Sequence, residues 1–307
     1  MMMKTPLCLA ACLFAFLPAV AQKADSSNSD IFGHPLPAQK HTRVFGQEIA
    51  YYDMGAAKPG EPVLVMLHGY GSQADVDFGP SLPLLAKHHR VIALDQIGAG
   101  NSAKPYIAYH VQTYVEWLAE FLRVVHVAKF DLLGESLGGW TAALYAEQAC
   151  APGSTLLKPQ RLILEDAAGI KAPQGDVPPL HMTVSTVAET RDGLQKVFFN
   201  KSLVTDEVAK RRFISKLKAN DAFAAASFQT NPAVRTESVG DRLSAITLPT
   251  LVVWGSNDTT VPRDWADAYA HGIPGAKLTL INESGHIPSL EQPVRFVTAV
   301  EGFLLAK

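Results

Sequence analysis

The stretch Phe130-Asp131-Leu132-Leu133-Gly134-Glu135-Ser136-Leu137-Gly138-Gly139-Trp140 decides how the chain is read. An apolar run over 130–133 ends in glycine, and Trp140, Ala143 and Leu144 then begin a helical period. Short apolar runs bounded by glycine suit strands buried on both faces. Gly134-Glu135-Ser136-Leu137-Gly138 is therefore G-x-S-x-G at a strand–turn–helix junction. The serine must sit on a sharp turn, and the glycines two before and two after it leave room where no side chain fits. A tight turn without chemistry would read the same way, so the role of Ser136 depends on its partners.

Outward from this point the same alternation recurs. Further strand-like runs occur at 48–53, 63–68, 91–95, 162–165, 251–254 and 278–281. Between them lie helical periods such as Val111, Tyr114, Val115, Leu118, Leu122 and Val125, and a last helix over about 293–305. Strands alternating with helices predict an α/β fold, a mostly parallel central sheet with helices on both faces. One interval breaks the rhythm: 83 residues separate Asp166 from Thr250 without a convincing strand. That far exceeds a typical connection of about 4–6 residues. Helical patterns at about 182–199 and 206–219 make it a helical cap over the C-terminal edge of the sheet, inserted between the last-but-two and last-but-one strands. The expected division is a core of 41–166 and 246–307 with a cap of 167–245. Ala209, Phe213 and Leu217 read as the apolar stripe of one cap helix, and Lys210-Arg211-Arg212 beside it as a solvated face. Phe198, Phe199, Phe223 and Phe228 are candidates for an acyl pocket or, more simply, for packing within the cap. His181 is an ordinary surface histidine or a residue facing the site.

The N-terminus reads as a targeting segment. Lys4 precedes an unbroken apolar run over 7–17, followed by Pro18-Ala19-Val20-Ala21. A positive start, a short apolar run and a small-x-small site define a secretory signal peptide, with cleavage expected after Ala21. Leu9-Ala10-Ala11-Cys12 also resembles a lipobox, the weaker alternative of a lipoprotein anchored through Cys12. Cleavage after Ala21 leaves Cys150 as the one remaining cysteine, with no internal disulfide and no Cys-His spacing for a metal. Residues 22–40 are polar and read as a flexible leader. Sequons stand at Asn200, Asn257 and Asn282, two of them inside candidate catalytic loops, which favours a bacterial periplasmic or secreted protein. With 27 Lys+Arg against 29 Asp+Glu, nothing in the charge suggests nucleic acid or an anionic membrane surface as partner. The apolar N-terminal run is too short for stable membrane insertion, which needs about 20 residues. A small-molecule substrate is the expected partner; the oligomeric state is not legible.

A serine hydroxyl is a weak nucleophile and needs a base held by an acid. His286 lies in Ser284-Gly285-His286-Ile287-Pro288 after the last strand, and Asp258 in Trp254-Gly255-Ser256-Asn257-Asp258 after the preceding one. Each leaves the end of its own strand, in the order Ser136, Asp258, His286. Asp166, also at a strand end, is the rival acid. Acyl transfer further needs donors for an oxyanion. His68-Gly69-Tyr70-Gly71 follows the strand 63–67, so the Tyr70 amide (or Gly71, one residue on) and the Leu137 amide are the candidate oxyanion hole. His68 reads as a hydrogen-bonding prop beneath that loop. Gly98-Ala99-Gly100-Asn101-Ser102-Ala103 formally fits a dinucleotide fingerprint, but Lys104-Pro105 follows where a helix should open. His88-His89-Arg90 has no supporting ligand spacing. No cofactor or metal is expected.

These blocks, with Asp95-Gln96-Ile97-Gly98-Ala99-Gly100-Asn101-Ser102, resemble in order the recurrent blocks of α/β-hydrolases with a helical cap, over about 42–306. The resemblance implies a serine hydrolase working through an acyl-enzyme on Ser136, with a small ester as the expected substrate. The alternatives are a C–C, lactone or amide bond on the same triad, or a non-catalytic ligand-binding protein. Ser136 speaks against the dehalogenase and epoxide hydrolase branches, which use aspartate there. Meta-cleavage product C–C hydrolases are similar in layout but typically carry Trp after the catalytic histidine, where this chain has Ile287.

Overall fold

The computed structural model describes residues 28–56, 60–171 and 184–306. Eight strands form one sheet: β1 (Lys40–Val44), β2 (Gln47–Met54), β3 (Val63–Leu67), β4 (Val91–Leu94), β5 (Phe130–Glu135), β6 (Leu162–Glu165), β7 (Thr250–Gly255) and β8 (Lys277–Ile281). Their spatial order is β1-β2-β4-β3-β5-β6-β7-β8. The pairs β1–β2 and β2–β4 are antiparallel, and β3 through β8 run parallel. The seven expected strands are all present. β1 is additional: its residues alternate polar and apolar too weakly to stand out, and only Val44 is fully buried.

Ten α-helices connect and cover the strands: α1 (Ala74–Asp77), α2 (Leu82–Leu85), α3 (Val111–Val124), α4 (Leu137–Cys150), α5 (Val187–Val197), α6 (Asp206–Ala219), α7 (Ala222–Thr230), α8 (Arg263–Gly272), α9 (Pro288–Glu291) and α10 (Pro293–Leu304). One face of the sheet packs on α3, α4 and α8 through Leu118, Phe121, Trp140, Tyr145 and Tyr269. The other packs on α1, α2 and α10 through Phe78, Leu82, Phe296 and Val300. This two-sided cover explains why β3, β4 and β6 read as unbroken apolar runs, since every residue in them except Glu165 is apolar and all are buried. Between β6 and β7 the described chain forms α5, α6, α7 and short 3-10 turns, with no strand.

The leader needs correcting. Within 22–40, the described part is docked rather than loose, with Asp30, Ile31 and Leu36 buried. Ile31 packs with Val76 of α1 and with Phe198, Val204 and Val208 of the helical insertion. Asp30 caps its own turn by accepting from the Phe32 and His34 amides, both at 2.9 Å. Polar composition hid a segment held by one isoleucine, one phenylalanine and a self-capping aspartate. The signal-peptide residues, Cys12 and His181 lie outside the described residues.

Strand order reverses around β3, which lies between β4 and β5. In open α/β sheets the crevice at such a reversal, beyond the carboxyl ends of the strands, is where ligands bind. The loops after β3 and β5 meet there, with Leu67 and Gly134 paired in register.

Candidate active site

Ser136 stands between β5 and α4 at φ 49°, a left-handed conformation rarely adopted by a residue with a side chain. Tight packing enforces it. A Cβ on Gly134 would lie 2.1 Å from the Gly138 carbonyl oxygen, and one on Gly138 would lie 2.1 Å from that of Leu67. The turn therefore admits only glycine at both flanks and presents Ser136 at the strand tip. The Ser136 amide donates to Glu165 O at 2.9 Å, and its carbonyl accepts from Trp140 and Ala168.

His286, in the loop between β8 and α9, brings Nδ1 to 2.9 Å from Asp258 Oδ2. Burial alone would raise the Asp258 carboxyl, but the hydrogen bond and charge of His286, with bonds from Asp166 and the Thr260 amide, hold it below the usual carboxylate range. Asp166 behaves oppositely. Burial and the neighbouring Asp258 push its carboxyl well above the usual range, so it serves as a proton donor to Asp258 while also accepting from the Gly255 amide at 3.0 Å. The rival acid is thus a neutral support for Asp258. Among the described residues, Asp166, Asp258 and His286 bring three possible metal-ligating atoms within 4.8 Å of one another. Those atoms are already engaged in bonds among themselves, which suits a proton relay better than a cation.

Ser136 and His286 line one cavity of about 240 Å³ together with Gly69, Tyr70 and Gly71. Leu137 is the first residue of α4, so its amide has no partner within the helix and faces outward from the turn. The loop after β3, the candidate oxyanion loop, is held from two directions. His68 is buried beneath it, with Nδ1 2.8 Å from Gly69 O and Nε2 accepting from the Gln96 amide. From above, the Tyr70 hydroxyl donates to Ala225 O of α7, and Arg212 Nη2 and Lys216 Nζ of α6 donate to Gly71 O at 2.8 and 2.9 Å.

Lys210 is exposed as expected, but Arg212 departs from the solvated-face reading of Lys210-Arg211-Arg212. It lines the cavity, and its Nη1 is buried without a hydrogen-bond partner among the described residues. The inward face of α6 carries buried Val208, Ala209 and Ala219 with half-buried Arg212 and Lys216, so Ala209 lies inward as expected whereas Leu217 is 60% exposed. Reading only apolar residues rotated the helix, because two cationic side chains occupy the inward face. The four phenylalanines do not line the cavity. Phe228 packs against Tyr70, Tyr114 and Trp140 of the core, Phe198 packs with Ile31 and Val76 as well as Val204 and Val208, Phe199 is exposed, and Phe223 stacks on Tyr106 at 4.1 Å. The apolar wall is Val76, Leu194, Val197, Ile287 and Leu290 instead. The sequence reading also passed over Glu135 and Asp77, discussed below. The fingerprint-like glycines after β4 lead into a loop that ends only at α3, so no helix opens on them.

Comparison with known proteins places these features. Residues 64–299 match the Alpha/beta hydrolase family. The chain is 28% identical over 272 residues to 2-hydroxy-6-oxo-2,4-heptadienoate hydrolase of Pseudomonas putida, covering 85% of this chain and 94% of that one. It is 31% identical to 2-hydroxymuconate semialdehyde hydrolase of a Pseudomonas species, covering 82% and 89%. Among solved structures, a meta-cleavage product hydrolase from Pseudomonas fluorescens superposes with a TM-score of 0.75 at 24% identity, over 86% of this chain and 96% of that one.

Proposed function

The chain belongs to the alpha/beta hydrolase family and is a hydrolase, and we propose that it cleaves a small ester bearing an anionic group, using Ser136, His286 and Asp258. The observation that carries this reading is Ser136 at φ 49° sharing one cavity with a histidine hydrogen-bonded to a buried aspartate. His286 Nε2 takes the Ser136 hydroxyl proton as Oγ attacks the acyl carbon, and Asp258 holds the imidazole and balances its charge. The Tyr70 and Leu137 amides receive the oxyanion. Collapse expels the alcohol, protonated by His286, and water then repeats the sequence on the acyl-enzyme. The cavity is below the usual ligand-site range of about 300–1,000 Å³, which favours a small acyl group. Arg212 on its wall supplies the positive charge for the anionic group, with Lys216 beside it ion-paired to Asp221 at 2.6 Å.

A second reading, hydrolysis of a C–C bond, is favoured by the names of the two Pseudomonas relatives. Ile287, in place of the tryptophan of the C–C hydrolases, weighs against it. Lactone and amide bonds use the same steps. We place the mature protein outside the cytoplasm, cut after Ala21, with 167–245 acting as its cap.

Hydrolysis of phenyl acetate, a succinate monoester, a simple lactone and a vinylogous 1,5-diketo acid, followed by product analysis, tests the reading. Ester turnover with preference for the succinate monoester supports it. Cleavage of the diketo acid alone transfers the reading to C–C hydrolysis. Tight binding without any turnover makes the protein a ligand-binding member of the fold.

A further inference from the structure

The position between the nucleophile and the preceding glycine holds a glutamate whose surroundings are unusual. Glu135 is the last residue of β5, and parallel register sets it beside Glu165 of β6. Its side chain is buried under the oxyanion loop: a Cβ on Gly69 would lie 2.2 Å from Oε2. Among the described residues Oε1 is buried without a hydrogen-bond partner, and it lies 3.4 Å from His286 Nε2, the nitrogen that must accept the Ser136 proton. The carboxyl is hydrogen-bonded to Asp77 of α1. Asp77 in turn accepts from the Gly69 amide at 2.8 Å and from the Ser72 hydroxyl at 2.5 Å. Glu135 thus touches the base on one side and the anchor of the oxyanion loop on the other.

We propose that Glu135 is a positioning residue for both halves of the site: its proton bridges to Asp77 and ties the oxyanion loop to the nucleophile turn, while Oε1 accepts from the imidazolium N–H formed when Ser136 is deprotonated. The inference rests on the triad reading above and deepens it. The groups facing Glu135 are Asp77 from α1, Glu165 and Asp166 from the end of β6, and His286 from the loop after β8. Arg212 and Lys216 line the same cavity from α6. Burial, followed by the neighbouring carboxyls of Asp77, Glu165 and Asp166, keeps the Glu135 carboxyl well above the usual carboxylate range. The protonated state matters chemically. An ionised Glu135 would repel Asp77, release the loop anchor, and hold the imidazolium so tightly that His286 no longer returns its proton to the leaving group. Asp258 supports the imidazole through Nδ1; Glu135 acts at the opposite edge, where the reacting proton moves.

Glu135→Gln keeps an oxygen for His286 and an N–H donor for Asp77 but cannot ionise, whereas Glu135→Ala removes both. With phenyl acetate, Glu135→Ala is expected to lower kcat by about 30-fold or more with KM within about threefold. Glu135→Gln is expected to recover kcat to within about fivefold of wild type at pH 7. As pH rises toward ionisation of the Glu135 carboxyl, the wild-type kcat should fall while that of Glu135→Gln stays level. Each protein is also treated with a fluorophosphonate, so that Ser136 labelling is read independently. A wild type that labels at Ser136, with a folded Glu135→Gln whose kcat at pH 7 falls by about 30-fold or more, overturns the proposal and leaves the triad standing; this arm holds even if Glu135→Ala fails to fold. A wild type that neither labels nor turns over ester removes both.

Discussion

Gly255→Ala probes whether the two loops that carry Asp258 and His286 are held in register by contact of their backbones. Gly255 ends β7, opposite Ile281 of β8, and the loops beyond are joined by Ser256 N–H to Ile281 O and Asn257 N–H to Ser284 O, both at 2.9 Å. A Cβ at 255 would lie 1.8 Å from the Gly285 carbonyl oxygen and 2.9 Å from that of Ser284. Both obstacles are backbone, so no side chain can rotate away. Reaching ordinary van der Waals contact of about 3.5 Å requires the loops to part by roughly 1.7 Å. The His286–Asp258 bond spans these two loops and is only 2.9 Å long. A misplacement of about 1 Å costs on the order of 10²-fold in rate. Overpacking of this kind costs about 1–3 kcal/mol in stability, which for a domain of this size lowers Tm by roughly 2–10 °C. The expected outcome is a folded protein with kcat/KM for phenyl acetate reduced by about 100-fold or more. Steady-state kinetics and thermal unfolding of the same preparation check it. A variant with kcat/KM within about threefold of wild type and an unchanged Tm would refute the claim that this contact sets the triad.

Asp258→Asn should lower kcat by about 10³–10⁴-fold by removing the charge that orients and balances His286, as read by single-turnover acylation. Arg212→Met should reduce the preference for a succinate monoester over phenyl acetate by about tenfold, measured as the ratio of kcat/KM values, since a desolvated guanidinium–carboxylate contact is worth more than about 1 kcal/mol. Glu165→Gln tests the buried acids as a pH-dependent liability. Burial, partly offset by the Ser289 hydrogen bonds, pushes the Glu165 carboxyl up to about 8. Because the folded value is raised, its favourable contribution is complete below the ordinary carboxylate range and is lost as pH climbs toward 8. The glutamine variant should therefore match wild type in Tm near pH 4 and exceed it at pH 9, by up to a few kcal/mol in unfolding free energy.

How much was legible depended on whether a residue's role followed from its neighbours in sequence. The sharp turn at Ser136 was readable because Gly134 and Gly138 answer a local steric demand, visible in five residues. Asp258 and His286 were readable because each follows an apolar run that could only be a strand. Arg212 and Lys216 were not, since a helix that turns charge inward looks like one that turns it outward until the loop at Gly71 is set above it. Glu135 was in plain view within the motif, yet its significance arises from Asp77 and Glu165, which pairing across three strands brings beside it. Ile31 docks where Val76 and Val208 meet, a contact between elements far apart in the chain. Polar composition carried no trace of that contact, and the leader was misread for the same reason.

The account's central claim is that Ser136 is an activated nucleophile. Fluorophosphonate labelling of the mature protein, with the modified peptide identified by mass spectrometry and Ser136→Ala as control, addresses it directly. A stoichiometric adduct on the peptide carrying Ser136, absent from the alanine variant and slowed in Asp258→Asn, is the predicted result. Folded protein that takes up no label, or takes it up equally after Ser136→Ala, would contradict it.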